Sequence, residues 1–191
     1  VEDREKRLPP GVRVVWLELL IGLSRASAIF VEALQNLDTI PMLIRLAGDE
    51  DSAVTGSSTT LLECLVHSSQ AALQNLSQGS GIVALLDLVL ALRHGEHTSH
   101  DRLSEILLFV LEARPEAIHR CQRKCNPQTI LTLLANGSHP QQRFALMMLS
   151  HMVATSGNGK GPRVAEQDRT RRRKGRGERT TPGIPRATSA P

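Results

Sequence analysis

Histidines, cysteines, carboxylates and guanidinium groups are the side chains here that could do chemistry, and they gather in a few short stretches. His94-Gly-Glu-His97-Thr-Ser-His100-Asp101 sets three imidazoles at three-residue spacing beside a carboxylate, a donor set suited to zinc or nickel if a loop folded around it. The zincin arrangement is absent, since that needs His at i and i+4 on a helix with Glu directly after the first. Gly95 and Thr98-Ser99 point instead to a solvated loop, with Thr98 or Ser99 capping the next helix. Cys121-Gln-Arg-Lys-Cys125, with His119 nearby, has the spacing of a metal-binding cysteine pair. No second pair exists to complete four ligands, and thiols at i and i+4 share a helix face, so two small buried side chains fit the pattern as well. No metal is expected at either place.

A catalytic centre is not visible either. Ser and His are plentiful, yet no Gly-x-Ser-x-Gly elbow occurs. Gly157-Asn-Gly-Lys160-Gly-Pro lacks the full phosphate-loop pattern and follows no strand. Asp49-Glu50-Asp51 reads as an inter-helix turn, where acids favour the N-terminus of the helix that follows. The chain is therefore expected to be no enzyme and to need no cofactor.

The remaining cluster is basic: Arg169, Arg171, Arg172, Arg173, Lys174 and Arg176 fall within eight residues. An exposed run of this kind suits phosphates or an acidic receptor, as a nuclear localisation signal or nucleic-acid contact, and equally suits a plain solubilising tail. Residues 157–191 carry ten Lys/Arg against three acids, a charge of +7, whereas 1–156 carry 13 basic and 16 acidic residues, a charge of −3. The overall +4 thus describes neither part. With six Gly, four Pro and few large apolar residues, the tail cannot bury enough surface to offset its ordering entropy and is expected to be disordered over 155–191.

The elements that must position all this are helices. Apolar residues recur at three- and four-residue intervals over Trp16–Ser24, Ala28–Leu37, Thr39–Ala47, Thr60–His67, Ile82–Arg93, Arg102–Ala113, Gln128–Ala135 and Gln141–Ala154. Asp38, Asn126-Pro127 and His139-Pro140 mark helix starts, and Gly48, Gly95 and Gly137 mark ends. Aromatics are limited to Trp16, Phe30, Phe109 and Phe144, with no Tyr. That argues against β-sandwiches and base-stacking platforms and predicts an aliphatic core. The longest apolar run, Ile82–Leu92, is too short for the roughly 20 residues of a bilayer span. Three cysteines, an odd number, and no leader-like start point to a reducing compartment, the cytoplasm with the nucleus as alternative.

Internal repetition then fixes the fold class. Ala33-Leu-Gln-Asn-Leu37 recurs as Ala72-Leu-Gln-Asn-Leu76, 39 residues on. An Ile-led apolar helix recurs at Ile40, Ile82 and Ile130, and a longer helix ending in a polar residue at Leu19–Arg25, Leu61–His67, Ile106–Glu112 and Ala145–His151, at intervals of 42, 45 and 39. Periods of roughly 40–47 residues belong to helical solenoids, whose units bury their apolar faces only by stacking.

On Leu34-Gln-Asn-Leu-Asp-Thr-Ile40-Pro41-Met-Leu-Ile-Arg-Leu46-Ala-Gly-Asp-Glu-Asp51 and Thr60-Leu-Leu-Glu-Cys-Leu-Val-His67 the chain resembles the armadillo-repeat family, with HEAT repeats sharing much of the pattern. The resemblance implies an all-α solenoid of three to four repeats over 12–154, with the long third helices lining a concave face that holds a partner peptide or helix. The family's Trp-like groove positions fall on Ile21, Glu63, Leu108 and Met147, and its Asn-like positions on Arg25, His67, Glu112 and His151. Neither ladder is kept, so the expected groove is aliphatic and polar. The expectation is a non-catalytic interaction scaffold with an unidentified protein partner and no membrane contact. Nucleic-acid association through the tail is the alternative. Val at position 1 also permits a piece of a longer solenoid.

Overall fold

The computed structural model of the chain describes residues 8–35, 39–78, 80–91 and 97–157, and every described element is helical. Residues 1–152 form one compact unit, and 153–191 a second, whose described part is the helical run up to Gly157. The expectations for Asp38, His94, Gly95 and the basic tail lie outside the described residues.

A long helix followed by two short ones is the recurrent order. α1 (Pro10–Ala26) precedes α2 (Ala28–Gln35) and α3 (Thr39–Leu46); α4 (Ser52–Ser68) precedes α5 (Gln70–Gln78) and α6 (Gly81–Ala91). α7 (His97–Ala113) leads through a 3-10 turn (Pro115–Ala117) into α8 (Ile118–Gln122) and α9 (Pro127–Asn136), and α10 (His139–Gly157) closes the series. α4 packs between α1 and α7, and the short helices lie along one side, α3 against α4 and α6 and α5 against α6 and α7.

The boundaries have local causes. Asp51 caps α4 by accepting from the amides of Ala53 and Val54 at 2.9 and 3.1 Å. Asn126 does the same for α9 through Gln128, and Pro127 and Pro10 stand in first turns where a missing N–H costs nothing. Ser138 precedes α10, and Gln141 turns back to accept from its amide at 3.0 Å. Gly137 ends α9 with its N–H on Leu133 O, so close that a Cβ there would stand 2.4 Å from that oxygen.

Ser27 and Ser69, 42 residues apart, perform one task twice. Each leaves the helix for a single extended residue, at φ −145° and −141°, and each hydroxyl then caps the next helix by accepting from Phe30 N or Ala72 N.

The core is aliphatic, as expected, apart from the fully buried Phe144. Leu43, Leu61, Leu62, Leu65, Leu76, Leu85, Leu86 and Leu107 are fully buried. Thr59 and Ser104, 45 residues apart on α4 and α7, are also fully buried, and neither hydroxyl has a hydrogen-bond partner. No described helix is long and apolar enough to cross a membrane.

Several helices differ from the sequence reading. α4 starts at Ser52 rather than Thr60, because an Asp51 cap and burial between two neighbours carry a Ser/Thr/Gly run of low helix propensity. α7 starts at His97, so Thr98 and Ser99 stand inside a first turn and neither is a cap in a loop. α5 and α8 have no counterpart among the expected pieces; both are short, and α5 is mostly polar.

Candidate interaction face

Successive residues of a helix turn by about 100°, so the neighbours of α4 sort its side chains into faces. Thr55, Leu62 and Val66 are buried on one side of the helix, with Thr55 at the edge of the groove described below. Thr60 and Glu63 meet α7, whose Arg102 donates to Thr60 Oγ1 at 2.9 Å and to Glu63 Oε2 at 2.5 Å. Val54, Ser58, Leu61 and Leu65, all with no exposure, fall on the opposite side, where α1 packs. What is left, Ala53, Gly56, Ser57, Cys64 and His67, faces outward.

The same outward face continues on α1 as Val14, Glu18, Gly22 and Arg25 and begins on α7 at Ser99 and Arg102. Together these helices line an open groove of about 1040 Å³. Its floor is made of small side chains, Ser52, Ala53, Gly56 and Ser57, so a ligand backbone can approach the α4 backbone closely. Its walls are charged, with Glu18 and Arg25 on one side and Arg102 on the other. Arg102 is held by its pairing with α4 and presents a fixed guanidinium to the groove.

The structure disperses the residues expected to form the site. Arg25 is exposed and lines this groove. His67 is exposed farther along α4 and stacks on Phe109 of α7, with ring centroids 4.1 Å apart and planes 20° from parallel. Glu112 is exposed and pairs with Arg143 of α10 at 3.1 Å. Of the Trp-like positions, Ile21 lines this groove, while Glu63, Leu108 and Met147 stand one helical step away from the outward face. Leu108 is 3% exposed and sits in the core, where it cannot touch a ligand laid on the surface, whereas Ile21, 8% exposed, still lines the groove beside Glu18 and Gly22. Glu63 lies in the seam between α4 and α7, and Met147 is half-buried against the core. The outward column at this level is Gly22, Cys64 and Phe109.

His151 belongs to a different neighbourhood. Its ring stands edge-on to His119, centroids 4.8 Å apart, with Nδ1 at 2.8 Å from Gln122 Nε2, both on α8. Cys121 and Cys125 are buried close by. Burial pushes the Cys121 thiol up to about 12, with Cys125 adding to the effect, and pushes Cys125 up to about 11, with Asp87 adding. Both are protonated and unreactive at neutral pH. Among the described residues no three His, Cys, Asp or Glu side chains stand together as a metal would require.

Glu18, the small run Ser52–Ser57 and Arg102 were missed as groove residues. The run Ser-Ala-Val-Thr-Gly-Ser-Ser-Thr-Thr from 52 to 60 was the available signal, being too small to pack as a core helix on all sides. The chain matches no protein-family model, no curated protein and no solved structure.

Proposed function

We propose that residues 10–152 form a non-catalytic protein-interaction module of the armadillo-like α-solenoid type, whose groove along α1, α4 and α7 holds an extended segment of another protein. The observation that carries this reading is the groove itself, a small-residue floor between charged walls on three neighbouring long helices. A ligand main chain can lie close to Gly56 and Ser57 while its basic and acidic side chains meet Glu18 on one side and Arg25 or Arg102 on the other. The long-short-short order of helices and the recurrent serine joints support the solenoid reading.

The test is affinity capture with the full chain as bait, repeated with Gly56→Arg, which fills the groove floor at a half-exposed position, and with Arg25→Glu. Partners recovered by the parent and lost by both variants, with helical circular dichroism unchanged, are the expected result. Partners retained by both variants would sink the proposal. A second reading, nucleic-acid binding through the tail, rests on the +7 charge of residues 157–191. It requires that truncation after residue 156 abolish a salt-sensitive affinity for DNA or RNA.

A further inference from the structure

α1 carries an apolar stripe that none of the described elements covers. Leu17, Ile21 and Ser24 are its buried residues, on the side that meets α4. On the opposite side Val12, Trp16, Leu19 and Leu23 are 42%, 57%, 57% and 48% exposed, with Val15 beside them at 57%. The spacing of four, three and four residues is the 3.5-residue period of a helix-pairing seam, and no charge interrupts it. Single exposed leucines are ordinary, but four large apolar side chains in one line with a fifth beside them mark a docking surface.

Forty-two residues on, the corresponding stripe of α4 is Val54, Ser58, Leu61 and Leu65, which is fully buried on the side away from α7, where α1 packs. The two stripes differ where it matters. α4 has the fully buried Ser58 where α1 has Trp16. A helix settles closely over a serine, whereas an indole holds it off, so α1 does not offer the seat that α4 offers α1. A seam with a large residue near its middle is filled instead by an arrangement that sets large against smaller residues. An antiparallel two-fold pairing of α1 with itself does this: Trp16 meets the partner's Leu19 and Val12 meets the partner's Leu23.

We infer that the occupant is a second copy of this chain, paired through α1 by a two-fold axis, as most homo-oligomers are. The stripe exposes on the order of 500 Å² per chain, so a dimer would bury about 1,000 Å² in total, near the lower limit for specific association and in keeping with micromolar affinity. This surface is separate from the groove and does not depend on the groove's role.

Sedimentation velocity of the full chain from about 1 to 200 μM tests it. The weight-average mass is expected to rise from one chain to two, while emission from Trp16, the chain's one tryptophan, shifts to the blue in step. Leu19→Glu, at an exposed position, is expected to weaken dimerisation at least tenfold with helical circular dichroism unchanged. Leu131→Glu, equally exposed on α9, should leave dimerisation intact. A monomer at every concentration overturns the inference. So does a dimer indifferent to Leu19→Glu, or growth past two chains, which would require a head-to-tail contact.

Discussion

α1 and α4 are both 17 residues long, start 42 residues apart and stand side by side, yet they use their sequences in opposite ways. α1 is apolar nearly all round and buries three residues. α4 is rich in Ser, Thr and Gly and buries eight. Burial here follows the number of neighbours: among the described elements α4 has a long helix on each side and α1 has one. Composition sets what a neighbour encounters. Ser58 on α4 lets α1 come close, whereas the branched and aromatic residues on the outer side of α1 keep a large apolar surface available. The helix that looks most like core by hydropathy is therefore the less buried of the two.

The strongest way to break this comparison is to truncate matched positions. Leu61→Ala, at a fully buried site on α4, is expected to cost about 3–4 kcal/mol in urea unfolding, while Leu19→Ala, its counterpart on α1, costs under about 1 kcal/mol in dilute monomer. Equal losses would mean that the two faces are buried alike. Exchanging the central residues sharpens the point. Ser58→Trp forces an indole between α1 and α4 and should cost about 2–3 kcal/mol by overpacking, whereas Trp16→Ser should move the monomer by less than about 1 kcal/mol.

Buried and exposed thiols extend the contrast. Cys64, half-exposed on α4, should react with a thiol reagent in the native chain, and Cys121 and Cys125 only on unfolding. Because burial raises both of the latter above their ordinary 9.0, the folded chain keeps protons that the unfolded chain releases. Their contribution to stability is complete below pH 9 and is lost as pH rises through 11 to 12, so the urea midpoint should fall above pH 9. Cys121→Ala with Cys125→Ala should flatten that fall.

Two smaller effects concern the far side of α4. The Arg102–Glu63 pair is more than a third exposed, so Glu63→Gln should cost at most about 1 kcal/mol, and less in high salt. Thr59→Val replaces a buried hydroxyl that lacks a partner with a methyl group and should stabilise by about 0.5–1 kcal/mol. A loss there would reveal a bond to that hydroxyl.

Much of the helical framework could be read from the sequence, because apolar spacing and strong boundary residues such as Asn126-Pro127 depend on local chemistry. What was hidden depended on neighbours. The first two turns of α4 carry no apolar rhythm, since small residues there serve close approach. The outward face was misjudged by one helical step, placing Leu108 on the surface when it is core. A 3.6-residue period fixes which residues share a face but not which face meets solvent, and that is decided by where α1 and α7 sit. The exposed stripe of α1 was invisible for the same reason, since its sequence is that of a helix with two neighbours.

The single-residue joints at Ser27 and Ser69 bear on how the chain would be dismantled. A protease must draw several consecutive residues into an extended strand before it can cut, and one non-helical residue cannot supply them. Cleavage there requires the last turn of the long helix, Leu65 and Val66 included, to leave the core first. Each long helix and the short helix after it therefore share one fate under digestion, and nicks should fall elsewhere, at turns such as Gly48–Asp51.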